Sequence, residues 1–244
     1  MESYVDFARF YDSLMEDARY PERAAYLLSL CARFDHPVGV CLDLACGTGA
    51  LTRELKQRGV DVFGVDGSAE MLTAAASASP DILYICQDMR ELTLAKPVDT
   101  CFCTLDSLNH LTELADVEKT LSRVGSYMNA GGLLIFDVNT PYKHREVLAN
   151  NAFTIENDTV FCAWQNVTED GLLTEILLDF FEEQPDGSYQ RCSECFFERA
   201  YTREELRNAL RQADFELLAV YGDLTTLPPA RDEQRAVYVA KKKG

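Results

Sequence analysis

Short apolar runs alternate with helix-period stretches along most of this chain. Val40, Leu42 and Leu44 mark a first buried strand, and Leu51 and Leu55 share one face of the helix after it, which Gly59 closes. Val60 to Val65 read as a second strand, Ala69 to Ala78 as a helix, Ile82 to Cys86 as a third strand and Val98 to Leu105 as a fourth. Val117, Leu121, Val124 and Met128 recur at helical spacing, Gly131-Gly132 reads as a turn, and Leu133 to Val138 as a buried fifth strand. Upstream, Tyr4, Phe7, Phe10 and Tyr11 are spaced as on a helix, and Tyr20-Pro21 opens a second one with Leu27, Leu28, Cys31 and Phe34 on one face. Such β/α alternation predicts a parallel sheet covered by helices on both sides.

The texture changes between Asn151 and Tyr201. Thr159 to Val167, Leu172 to Phe181 and Tyr189 to Arg199 are long runs rich in aromatic and β-branched residues. They are joined at Glu169-Asp170-Gly171 and Pro185-Asp186-Gly187-Ser188. These are hairpin signals, and they predict a three-stranded antiparallel insertion over 151–200, with the α/β core over 1–150 and 201–244. The core resumes at Thr202-x-x-Glu205, a capping box, ahead of Leu206, Leu210 and Ala213 on one helix face. Phe215 to Tyr221 and Ala236 to Ala240 are the last two strands.

Charge narrows the partners. Against 23 basic residues stand 40 acidic ones, a formal charge of −17, and the only basic run is Lys241 to Lys243. Such a surface repels the phosphate backbone that dominates nucleic-acid affinity, so no nucleic-acid partner is expected. No run approaches the apolar length of a membrane span and no charged leader precedes an apolar core, which predicts a soluble, cytoplasmic protein. Nine cysteines, several within buried strand patterns, read as reduced core residues. Cys192 and Cys195 lie three apart in a strand pattern and therefore face opposite sides, so no metal site is expected there.

The candidate chemistry begins where the first strand ends, at Asp43-Leu44-Ala45-Cys46-Gly47-Thr48-Gly49. Gly47 and Gly49 allow a sharp turn against which a ligand can lie. A dinucleotide fingerprint would place a third glycine where this chain has Thr52, and the carboxylate of Asp43 would repel a pyrophosphate while welcoming an ammonium. Asp66 follows about 20 residues beyond the turn, the separation at which a second-strand carboxylate accepts hydrogen bonds from ribose hydroxyls. Ser68 is a candidate N-cap for the next helix, and Met71 one turn in could pack on a purine or simply on the core.

At these residues the chain resembles motif I of the class I S-adenosylmethionine-dependent methyltransferases, small-molecule type, and the likeness extends over essentially the whole chain. The resemblance implies a Rossmann-like seven-stranded mixed sheet of order 3-2-1-4-5-7-6, with strand 7 antiparallel. It implies S-adenosyl-L-methionine as cofactor, held by Asp43 to Gly47, Gly49, Asp66, Gly67, Ser68, Met71, Asp88, Met89, Leu105 and Asp106, with Tyr20 closing over it. In that family an acidic residue placed as Asp88 accepts from the adenine amine, and the N-terminal segment carrying Tyr11 brings a tyrosine hydroxyl to the donor site. The Ser107-Leu108-Asn109-His110-Leu111 segment resembles S-x-G-H-L of amino-sugar N-methyltransferases, with Asn109 in place of glycine. His110 and Tyr11 are thus the candidates for a base. His110 could equally cap the following helix.

The expected reaction is in-line methyl transfer to the N or O atom of a small molecule, with no metal required. Insertions at this place in such enzymes cover the acceptor pocket or join two subunits, so a homodimer through the insertion is expected, and Trp164 either lines the pocket or packs the insertion. A nicotinamide oxidoreductase, an inert cofactor-binding regulator or scaffold, and an RNA or protein methyltransferase are the alternatives.

Overall fold

The computed structural model describes residues 18–157, 160–168 and 170–244. The apolar runs become strands buried on both faces, as parallel sheets between helical layers require. In chain order the core elements are α1 (Tyr20–Arg33), β1 (Val40–Leu44), α2 (Ala50–Gln57), β2 (Asp61–Asp66), α3 (Ala69–Ala78), β3 (Tyr84–Cys86), β4 (Val98–Cys103), α4 (Leu114–Ser126) and β5 (Met128–Asn139). The second sheet follows, with β6 (Ala152–Glu156), β7 (Val160–Thr168), β8 (Leu173–Glu183) and β9 (Tyr189–Arg199). The core then closes with α5 (Arg203–Gln212), β10 (Phe215–Gly222) and β11 (Arg235–Lys242).

The main sheet has seven strands in the order β10-β11-β5-β4-β1-β2-β3. β2, β1, β4 and β5 run parallel, while β11 lies antiparallel between β5 and β10. This is the expected 3-2-1-4-5-7-6 arrangement. Alternate strand residues serve opposite faces: Leu42, Leu134 and Phe136 pack with Val117 and Leu121 of α4 and Leu206 and Leu210 of α5. Cys41, Leu133 and Ile135 pack with Leu27 and Leu30 of α1 and Leu51 and Leu55 of α2. The Thr202 capping box forms as expected, with Thr202 Oγ1 accepting from the Glu205 amide and the Glu205 carboxylate accepting from the Thr202 amide.

Several boundaries differ from expectation. Met128 starts β5 rather than ending a helix, and Gly131-Gly132 lies inside that strand, where the pairing with β4 shifts between Val98 and Thr100. An apolar residue at Met128 satisfies either period. The insertion has four antiparallel strands, in the order β6-β7-β8-β9, not three. β6 is a five-residue edge strand, too short to stand out by pattern, and sets Phe153 opposite Trp164. This sheet has its own small core of Val160, Cys162, Ile176, Leu178 and Phe180. Among the described residues no helix is long and apolar enough to cross a membrane. The helix expected around Tyr4 to Tyr11, and with it the candidate base Tyr11, lies outside the described residues.

Candidate active site

The turn after β1 puts Ala45 at φ +58°, Gly47 at +53° and Gly49 at +72°. The two glycines have different reasons to be there. A Cβ on Gly49 would come within 2.4 Å of the Tyr84 hydroxyl, and one on Gly64 of β2 within 2.6 Å of Cys46 Sγ and 2.7 Å of the Tyr84 ring. Tyr84, rising from β3 and paired with Ser79 Oγ at 2.8 Å, therefore forms a floor on which the turn rests. A Cβ on Gly47 would meet nothing within 4 Å. Backbone open to space on one side and supported on the other is a cradle for a ligand.

The carboxylates at the strand tips surround that cradle. Asp43 is buried, and its Oδ2 accepts from Thr52 Oγ1 at 2.6 Å, so the residue at the absent third glycine serves as its donor. Burial pushes the Asp43 carboxyl up to about 7, with Thr52 opposing and Asp66 adding to the shift. Asp66 accepts the Gly47 amide on Oδ2 and the Ser68 amide on Oδ1, each at 2.8 Å. Burial still holds its pKa above the ordinary value, against those two amides. Asp88, at the end of β3, is gripped by the Arg90 guanidinium with both oxygens 3.0 Å from Nε, and this lowers its pKa. Arg90 also reaches Asp116 of α4 at 3.0 Å.

Ser68 caps α3 as expected, accepting from the Met71 amide. Gly67 is open, with a Cβ there meeting only the Gln87 carbonyl at 3.9 Å. Leu44 and Met71 are buried, and Met89 packs against the core. Tyr20 opens α1 and packs on the other face. Open space over Gly47, an amide-bound carboxylate beside it and a second carboxylate at the neighbouring strand tip fit a nucleoside with a cationic tail.

A second cluster of charged side chains lies past β4, where the acceptor was expected. Leu105 and Asp106 both adopt left-handed conformations, φ +58° and +56°, which bulky L-residues avoid unless surrounding contacts impose them. The fully buried Asp137 of β5 imposes them: its two oxygens accept the Leu105 and Asp106 amides at 2.9 and 2.8 Å. Arg235 of β11 bonds to Asp137 and reaches Asp106 Oδ1 at 3.0 Å. Arg23 of α1 joins from below, 3.6 Å from Asp137 and 2.9 Å from Asp223. Burial pushes the Asp106 carboxyl up, but Arg235, Lys143 and His110 outweigh it, and the group sits well below the usual carboxylate range.

Asn139, the last residue of β5, donates to Asp106 Oδ2 at 2.7 Å and to Glu198 Oε2 of β9 at 3.0 Å. Asn109 fastens the same seam, accepting from the Asn139 amide and donating to the Arg199 carbonyl. This explains why asparagine stands where the resembling motif has glycine. His110 ends the short 3-10 turn Ser107–His110 rather than capping a helix. Its ring lies against Phe196 and its Nε2 is 4.0 Å from Glu198 Oε1, so it meets the insertion at β9.

Sequence reading missed Asp137, Asn139, Arg235 and Glu198. Asn139 at the tip of a buried strand was the one local signal. Trp164 packs within the insertion, edge-on to Phe153 with ring centroids 5.4 Å apart, and its Nε1 donates to Asn166 at 2.6 Å.

A sheet of this order with acidic tips around a glycine turn defines a class of nucleoside-cofactor transferases, and comparison with known proteins agrees. A methyltransferase-domain family profile matches residues 41–132. The chain belongs to the class I S-adenosylmethionine-dependent methyltransferases, and S-adenosyl-L-methionine is its cofactor. It is 33% identical over 98% of its length, and 97% of the other chain, to a protein of Bacillus subtilis (strain 168) provisionally named as the methyltransferase YqeM. A solved S-adenosylmethionine-dependent methyltransferase from Clostridium acetobutylicum ATCC 824 superposes with a TM-score of 0.90 at 31% identity, over 99% of both chains. The dTDP-3-amino-3,6-dideoxy-alpha-D-glucopyranose N,N-dimethyltransferase of Streptomyces fradiae is 26% identical over 88% of each chain.

Proposed function

We propose that this methyltransferase acts on a small molecule through a nucleophilic amine or hydroxyl, with His110 taking the acceptor's proton. The observation that carries this reading is the place of His110, which ends the turn that follows Asp106 and stands 4.0 Å from Glu198 Oε1 of the second sheet. Among the donor residues, Asp43 receives the cofactor's ammonium, Asp66 its ribose hydroxyls and Asp88 its adenine amine, while Gly47 lets the chain lie against it. The bound cofactor supplies a methyl group already activated on a cationic sulfur. The protein's task is then to align the acceptor, exclude water and remove one proton.

The acidic acceptor side favours amines, which arrive as ammonium ions and must lose a proton before they attack. The Streptomyces relative's name, and those of two glycine/sarcosine N-methyltransferases 28% and 27% identical to this chain, support the same choice. The formal charge of −17 weighs against nucleic acid. We also propose that two copies pair through the outer face of the insertion, where Val167, Leu173, Tyr189 and Phe197 are exposed. All nine cysteines are free thiols, which suits the reducing cytoplasm.

The test is incubation with cofactor and panels of small amines, polyols and carboxylates, following S-adenosylhomocysteine release and a product heavier by one methylene. Turnover on an amine that His110→Gln abolishes supports the reading. Cofactor binding without turnover on any panel, or turnover requiring RNA or protein, refutes it.

A further inference from the structure

We propose that Glu198 and Phe196, both on β9 of the insertion, are positioning residues for His110, so that the insertion supplies a working part of the acceptor site rather than only its cover. The inference rests on the reading of His110 as the proton-accepting group.

Strand alternation puts residues 196 and 198 on the same face of β9. From that face the Phe196 ring lies against the His110 ring, centroids 5.2 Å apart and tilted by 34°. Two residues on, Glu198 Oε1 stands 4.0 Å from His110 Nε2. The other Glu198 oxygen is fixed by Asn139 Nδ2 at 3.0 Å, which orients the carboxylate from the core side. The ring is thus held on its face by an aromatic and at one nitrogen by a charge, both from a single strand.

The remaining charges near His110 are otherwise engaged. Asp66 is taken up by the Gly47 and Ser68 amides. Asp106 is bound by Arg235 on one oxygen and by Asn139 on the other. Lys143 donates to Asn139 Oδ1 at 2.9 Å. His144 is fully buried, holds Thr174 through Nδ1, and sits 3.9 Å from Glu198 Oε2 with its own Nε2 unbonded. Burial keeps His144 neutral, with a pKa lowered to about 4. It therefore serves as an uncharged wall on the far side of Glu198, leaving His110 as the histidine that can answer the carboxylate's charge.

A proton on Nε2 directed at Glu198 leaves Nδ1 as the basic atom. When the acceptor's N–H bond breaks, its electron pair stays on nitrogen and the proton bonds to Nδ1. Glu198 then faces an imidazolium. Burial and Asp106 hold the Glu198 pKa up while His110 and Lys143 bring it down.

The experiment is an NMR titration of the full chain labelled at the histidine Cε1 positions, with the His110 resonance assigned by its loss in His110→Gln. In Glu198→Gln the His110 midpoint falls by about one unit, as expected on removing an opposite charge at this range. His36, on the far side of the sheet at Thr100, keeps its midpoint. In Phe196→Ala the His110 resonance loses its ring-current shift. Should Glu198→Gln fail to fold, the Glu198 carboxyl resonance of wild-type chain labelled at the glutamate Cδ positions serves instead, because two opposite charges this close require it to inflect at the His110 midpoint. An unchanged His110 midpoint, or a Glu198 resonance with no such inflection, overturns the proposal. If the NMR coupling is present but His110→Gln retains full turnover, the base assignment fails while the pairing stands.

Discussion

Asp43 makes the protein's stability depend on pH in a direction opposite to most carboxylates. Its pKa rises from 3.8 unfolded to about 7 folded, so between those values the native state keeps a proton that the unfolded chain has released. Stability therefore falls as pH rises through that window and is level above it. Three units correspond to roughly 4 kcal/mol in all, and to roughly 3 kcal/mol between about pH 5 and about pH 8.5. Asp43→Asn removes the titration while its carbonyl oxygen can still accept from Thr52. The variant's stability relative to the wild type should rise by roughly 3 kcal/mol between about pH 5 and about pH 8.5, in urea unfolding without cofactor.

Cofactor binding should reverse the order, because an ammonium placed against Asp43 selects the ionised form. Wild-type affinity, measured by calorimetry, should weaken about tenfold per unit below the midpoint, while Asp43→Asn binds weakly at every pH. Stability gaps that stay equal at both pH values would refute the burial assignment of Asp43.

Other expectations follow from the same geometry. Thr52→Val removes the donor to Asp43 and should move the midpoint of that pH dependence upward, read by the same unfolding series. Gly47→Ala should lower the melting temperature only modestly, since its Cβ meets nothing and the strain is about 1–2 kcal/mol, yet weaken cofactor binding far more. Gly49→Ala, driven into Tyr84, should show the larger stability loss. Arg235→Met leaves Asp137 and Asp106 short of a buried cation and should cost about 3–5 kcal/mol in chemical unfolding. Thr202→Ala should cost about 1 kcal/mol through loss of the α5 cap, with turnover unchanged.

The glycine turn and the acidic strand tips proposed as the donor half of the site were legible in the sequence because these parts are local. Each strand tip carries its acidic residue within one β/α unit, and periodicity plus a glycine turn reveal the arrangement. Thr52 was visible only as a missing glycine, since its hydroxyl bond to Asp43 depends on how tightly the helix turns back. The acceptor half was hidden because its bonds are remote in sequence. Glu198 meets Asn139 across 59 residues and Arg235 meets Asp137 across 98. No period or motif links such partners. They become neighbours only when β11 inserts beside β5 and the second sheet folds back over the strand tips. Asp106, expected at the cofactor, is tied into that charged seam, and its left-handed backbone is unannounced by residue type.

The division of labour along the chain has a consequence for how new specificities can arise. The three carboxylates proposed to hold the cofactor are encoded before residue 90, while the second sheet is one uninterrupted stretch spliced between β5 and α5. If the second sheet helps build the acceptor site as proposed, recoding that stretch, by drift or by grafting, would retool what is methylated without touching what donates the methyl. Asn139 and Glu198 would have to travel as a matched key and lock, since they are where the interchangeable tool clips onto its handle.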